Sequence, residues 1–239
     1  MNQSTCKLLS SRGDFSSGRL DELRRHLKNE PALKAYSGLT IYAAGSFARG
    51  EASKYSDIDL FFLHNDLTVQ VSEPRLKGIR VLSTVIRQIE EDMEFPAPSN
   101  DGQFMNIIKL SEMKKTLGGA EDDYNNHFTA RILLLLESAP VYGSSSYAQS
   151  ISALIDSYFR DYENHASDFR PTFLVNDILR FWKTLCLNYE HRRNQEDEAR
   201  KIKQKIKNFK LKYSRLLTCF ATVALLASYN GVKKASSLS

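Results

Sequence analysis

The sequence predicts an α+β protein: a small sheet with flanking helices, followed by an all-helical module. Three observations lead there. Two apolar runs with strand character, Leu39-Thr40-Ile41-Tyr42-Ala43 and Ile58-Asp59-Leu60-Phe61-Phe62, lie between stretches whose apolar residues recur at helical spacing. Beyond the Tyr142-Gly143-Ser144-Ser145-Ser146 break, four successive segments all read as helices. A hydrophobic fraction of 42% in 239 residues is that of an ordinary globular chain with a real core and one or two domains.

The elements follow in order. Leu20, Leu23 and Leu27 share one face of a leading helix that Pro31 stops or restarts. The strand from Leu39 comes next, then the second strand through Phe62. The polar His64-Asn65-Asp66 is a turn, and Val69 to Val71 is placed as an extension of the sheet. Val81, Leu82, Val85, Ile86 and Ile89 make Gly78 to Glu91 an amphipathic helix. Pro96 to Gly102 is loop chemistry, after which Phe104 to Leu110 is apolar enough for another strand. Thr129 to Glu137 reads as a buried helix closed by Pro140, and the domain boundary is placed at Gly143, giving domains 1–143 and 144–239. In the second domain the helices are Ile151 to Tyr162, Phe173 to Tyr189, Ala199 to Lys212 and Tyr213 to Tyr229. The apolar stretch from Leu216 to Ala227 reads as a buried helix, too short and too interrupted to span a bilayer.

Residues 45 to 62 carry the chemistry. Gly45 and Ser46 end an apolar run, and their missing and small side chains let backbone N–H groups approach an anion such as a triphosphate at a helix start. After Gly50 and a polar turn comes Asp57-Ile58-Asp59. Strand alternation places the two carboxylates on one face, roughly 7 Å apart at their Cα atoms, with Ile58 turned into a core. Two carboxylates side by side repel unless cations arrive. Mg²⁺, or Mn²⁺, is the natural guest, since it takes hard oxygen ligands and shares phosphate oxygens with one or two carboxylates. Arg49 and Lys54 read either as phosphate contacts or as plain surface charges.

The Gly-Ser pair followed by the Asp-x-Asp strand resembles the nucleotidyltransferase superfamily that includes DNA polymerase β. Over residues 39 to 62 the arrangement is most similar to the nucleotidyltransferase region of the bacterial uridylyltransferase that modifies the PII nitrogen-regulatory protein. The resemblance implies a small mixed sheet of the polymerase β-like fold and NTP as substrate. It also implies transfer of an NMP group to an acceptor hydroxyl with release of pyrophosphate. It further implies a third carboxylate from a later strand, acting as base or metal ligand. The strand candidate carries no acid, so Asp101 just before it is the first choice and Glu94 the second. The expected site is therefore Asp57, Asp59 and Asp101 for catalysis, Asp57 and Asp59 for metal, and Gly45 and Ser46 for the nucleotide, ATP among the candidates.

Other patterns are weighed beside it. Glu121-Asp122-Asp123 near His127 is read as a helix start complementing its dipole rather than as a metal cluster. Arg131 is read as a buried ion pair before a phosphate contact. Three cysteines at no metal spacing fit neither a disulfide framework nor a zinc site, and suit a cytoplasmic protein with no leader. The chain carries 33 basic and 28 acidic residues, net +5, with the excess concentrated between Arg192 and Arg215. That stretch is a solvated amphipathic helix or an RNA-binding surface with Phe209 and Tyr213 as stacking residues. Three functions stand: a transferase acting on a protein or RNA, a degenerate domain binding nucleotide or a partner, and an RNA-binding module.

Overall fold

The computed structural model describes residues 3–69, 72–97, 102, 105–160, 162, 169–193 and 205–228. The chain divides into two compact units, Met1–Ile151 and Ser152–Ser239.

In the first unit, helix α1 (Gln3–Lys28) and the short α2 (Pro31–Lys34) lead into β1 (Leu39–Ala44). The turn α3 (Gly45–Ala48) follows, then β2 (Asp59–His64) and α4 (Arg75–Arg87), which continues as a π-helical turn over Gln88–Asp92. Next come β3 (Ile107–Lys109), α5 (Leu110–Lys115), α6 (Ala120–Tyr124), α7 (His127–Leu136), β4 (Ser138–Tyr142) and α8 (Ser144–Tyr158), within which the first unit ends at Ile151. Pro31 starts α2 rather than ending a helix, as a residue whose missing N–H is one of the first-turn orphans can. Leading helix α1 begins well before Leu20, the first of the apolar residues that mark it in the sequence. Gly13 and Gly18 lie inside it with open space around them, where glycine weakens a helix without breaking it.

The sheet order is β3-β2-β1-β4, with β1 antiparallel to both neighbours and β2 parallel to β3. This is the mixed sheet expected. Side chains alternate between its faces. Leu39, Ile41 and Ala43, with Ile58, Leu60 and Phe62, meet Leu20, Leu23 and Leu27 of α1 and Val81 and Val85 of α4 in one core. On the other face Tyr42 stacks on its register partner Phe61 at 5.3 Å. The Tyr42 hydroxyl donates to the carbonyl of Ala130 in α7 at 2.9 Å, and burial pushes its pKa well above the ordinary value, so it remains a neutral donor. Helix α7 thus covers the face to which Asp59 belongs.

Strand β4 was not expected, because Pro140 reads as a stop. The position explains it: β4 lies at the sheet edge, where a residue without an N–H is tolerated, and its register slips between Ile41 and Tyr42. The Pro140 carbonyl accepts from Arg24 Nε at 2.9 Å. Gly143 turns the chain out of β4 with φ 70°. A Cβ there would stand 2.1 Å from the Leu39 carbonyl oxygen, so no other residue fits. The proposed extension at Val69 to Val71 is not a strand at Val69; residues 70 and 71 lie outside the described residues.

In the second unit α9 (Thr172–Arg193), helical residues 205–210, a π-helical turn (Leu211–Arg215) and α10 (Leu216–Ala227) are helical, as expected, while residues 199–204 of the expected Ala199 to Lys212 helix lie outside the described residues. Trp182 of α9 meets Phe220 of α10 edge to face at 5.8 Å. The reading of Leu216 to Ala227 as a buried helix is corrected. Cys219 and Leu226 are buried, whereas Leu217 is 68% and Leu225 57% exposed. The helix is apolar all round, and only one stripe faces its neighbours. No helix among the described residues is long and apolar enough to cross a membrane.

One pH effect is built into this fold. His64 is buried at the end of β2 with its ring edge-on to Tyr36, and no partner reaches its Nε2. Burial lowers its pKa, and Lys109 lowers it further, against the opposing pull of Asp66 and Glu73. Burial also lowers the pKa of His127. Because the folded pKa values lie below the unfolded one, the unfolded state binds more protons as pH falls through about 6.5. Stability is therefore full above that pH and declines below it. We expect the thermal midpoint to fall between pH 7.5 and 5.5, and His64→Gln to flatten part of that slope. An identical slope in the variant would remove His64 as a source.

Candidate active site

The site forms where β1 ends beside the start of β2. Ala44 and Asp59 are register partners, so the Gly45-Ser46 turn emerges next to the Asp59 carboxylate. Gly45 has φ 68°, in the left-handed region, and a Cβ on it would stand 2.7 Å from Asp59 Oδ2. The glycine is required twice, by its backbone conformation and by the carboxylate against it. The turn then winds through α3, closed by bonds from Arg49 N to Gly45 O (3.1 Å) and from Glu51 N to Ser46 O (2.8 Å). Phe47 anchors it, 2% exposed and edge-on to Phe95 at 5.4 Å.

The loop from Glu51 to Asp57 is tied down before it delivers the acids. Ser16 Oγ accepts from Ala52 N at 3.1 Å, and Ser53 N donates to Ser56 Oγ at 3.0 Å. Asp57 is half-buried just ahead of the strand, Ile58 is buried in the core, and Asp59, the first strand residue, is exposed. Ile58 is buried and Asp59 exposed, as alternation requires, but the strand begins at Asp59, so Asp57, expected to be its first residue, lies ahead of it.

Arg49 belongs to neither of the readings weighed for it. Its side chain is 9% exposed and bridges two carboxylates, Glu51 at 3.1 Å and Glu137 at 2.5 Å. Glu137 directly precedes β4, and Ser138 is the register partner of Ala44, so this buried pair clamps the turn to the neighbouring strand. Glu137 was not singled out in the sequence. The signal was there: it is the one charged residue between Ile132 and Val141. Lys54 is exposed and lies over the Tyr55 ring at 5.0 Å.

Asp101, the expected third acid, lies outside the described residues. Glu94, the second choice, has φ 51° and lines a cavity of about 300 Å³ with Phe47, Ser53, Lys54 and Ser56. Among the described residues no three His, Cys, Asp or Glu side chains gather as a metal set. The Asp59 carboxylate beside the Gly45 turn, with Asp57 two residues ahead of it, nevertheless suits Mg²⁺, which is held by one or two carboxylates together with phosphates and water. The Glu121-Asp122-Asp123 segment is structural. Asp122 makes a fully buried two-pronged pair with Arg131, at 2.8 and 2.7 Å, and His127 Nδ1 lies 2.9 Å from Thr116 Oγ1.

Residues 21–115 match the family model described as nucleotidyltransferase domain. The first unit carries a nucleotidyltransferase domain of the polymerase β-like superfamily. The match spans α1 from Asp21 through α5, and so contains Gly45, Ser46, Asp57 and Asp59. No curated protein gives a significant match to the chain. Nucleotidyltransferase domains transfer an NMP group from an NTP, and the match over residues 21–115 supports transferase activity in that general sense. In this nucleotidyltransferase domain the geometry leaves little slack between turn and acid. We therefore expect Gly45→Ala to destabilise the protein by about 1–2 kcal/mol through its left-handed φ. It should cut transfer about 10²-fold through a displaced Asp59. Thermal unfolding and label transfer measure the two separately, and an unchanged rate would break the link between Gly45 and Asp59.

Proposed function

We propose that the protein is a Mg²⁺-dependent nucleotidyltransferase, moving an NMP group from an NTP to a hydroxyl on a protein or RNA acceptor and releasing pyrophosphate. The observation that carries this reading is that the Asp59 carboxylate occupies the space a side chain at position 45 would fill, so the Gly45-Ser46 turn and the acidic strand meet at one point. In this reading the backbone at Gly45 and Ser46 orients the triphosphate, with the Ser46 hydroxyl adding one donor. Asp57 and Asp59 hold the metal, which when bound neutralises charge on the phosphates and helps activate the attacking oxygen. Ile58, locked in the core, fixes the direction of both carboxylates, and the Arg49–Glu137 pair fixes the turn. Preorganisation of this kind is the main source of rate in phosphoryl transfer. Asp101 is retained as the proposed base for the acceptor hydroxyl.

One observation favours RNA among the acceptors. On the second unit Phe209 and Tyr213 are 64% and 61% exposed with ring centroids 4.6 Å apart, among the exposed Lys205, Lys207 and Lys212. Aromatic faces among cations are what stacked, unpaired bases require. The test is incubation with each α-labelled NTP and Mg²⁺ or Mn²⁺, with protein lysate or total RNA as acceptor. Metal-dependent label on RNA supports the reading in full, and label on protein moves the acceptor. Metal-dependent NTP binding without label transfer would instead make the domain a regulatory binder. Salt-sensitive RNA binding without NTP use would make it an RNA-binding module.

A further inference from the structure

A second cavity opens on the same face of the sheet as the two aspartates. It has a volume of about 410 Å³ and is lined by Asn106, Ile107, Ile108, Glu112, Asn125 and His127, with Tyr124 and Asn126 at its edge. The register places it. Ile107 pairs in parallel with Phe62 and packs into the core face with it, so Asn106 is level with Phe61 on the opposite face. Phe61 is two residues beyond Asp59. One strand across and two residues along puts the Asn106 Cα about 8 Å from that of Asp59.

The lining is chemically unlike a phosphate site, because it contains no lysine or arginine. Its polar groups are carboxamides, a histidine whose pKa burial lowers, and the Glu112 carboxylate, steadied by Lys109 at 3.0 Å. Beneath them is the buried side chain of Ile108, and Tyr124 is 90% exposed. An apolar floor with convergent neutral amides and an aromatic edge suits a flat heterocycle. Carboxamides pair with the edge of a base that offers a donor beside an acceptor, and a carboxylate accepts from an exocyclic amine while repelling a carbonyl oxygen.

We propose that this cavity holds the base of the donor nucleotide and selects one bearing an exocyclic amine over uracil, which has none. Asn106 and Glu112 are its specificity residues. The proposal rests on the triphosphate lying at Gly45 and Ser46.

The test is calorimetric titration of the full chain, in Mg²⁺, with ATP, UTP and inorganic tripolyphosphate. Wild-type protein should bind ATP at least about 10-fold more tightly than UTP. Asn106→Ala and Glu112→Ala, both changes at exposed positions, should each reduce that preference by about 10-fold. Tripolyphosphate binding should stay within about two-fold in both, since neither side chain belongs to the phosphate turn. Equal affinity for ATP and UTP, or an ATP preference unmoved in both variants, overturns the base subsite while tripolyphosphate binding preserves the phosphate reading. Absence of tripolyphosphate binding together with NTP affinities unaffected by Asp59→Asn overturns the phosphate reading, and this proposal with it.

Discussion

Asp59→Asn and Asp57→Asn are expected each to lower label transfer by about 10³-fold or more, the scale on which loss of a single transition-state charge stabiliser is felt. The exchange keeps size and shape while removing a negative charge. It therefore removes the oxygen chemistry that suits Mg²⁺ without opening a cavity. Folding should be unaffected, because relief of repulsion between two acids on one face offsets any weakened hydrogen bond. A thermal midpoint within a few degrees of wild type, combined with lost transfer, is the expected pair of results. Transfer near the wild-type rate at saturating Mg²⁺ in either variant would remove that aspartate from the site. The two variants should also agree with one another, since in this reading both carboxylates hold the metal.

Arg131→Met should be the most destabilising single change, at about 3–5 kcal/mol. Arg131 and Asp122 are both 0% exposed and joined by two hydrogen bonds, so removing the guanidinium leaves an ionised carboxylate in the interior. That cost is a large part of the stability of an ordinary domain. Arg131→Met combined with Asp122→Leu should recover most of it, because replacing both partners leaves no uncompensated charge. Denaturant unfolding of the two variants decides the matter. A single variant within about 1 kcal/mol of wild type would show that the pair contributes little. The consequence reaches the site through α7, which carries Arg131, bonds Tyr42 through Ala130, and supplies His127 to the cavity beside Asn106.

The sequence by itself determined the motif and the faces of its strand. Alternation of period two fixes Asp59 on one side and Leu60 and Phe62 on the other wherever the strand is half-buried, since a slip of one residue would bury the acid. It also determined the helices of α1, α4 and α7, whose apolar spacing is local information. The glycine at position 45 was legible as a turn residue, though its second reason was not.

Only the tertiary structure decided the rest. Pro140 is a breaker in isolation, and becomes an edge-strand residue only because no strand among the described residues pairs beyond β4. Arg49 is one cation among many in the sequence, and its role depends on Glu137, 88 residues away. The leucines of α10 look like core residues, yet burial depends on which stripe meets a neighbour. In each case the deciding contact joins residues far apart in the chain. Local propensity carries no information about such contacts, whereas strand alternation and helical spacing are written in adjacent residues.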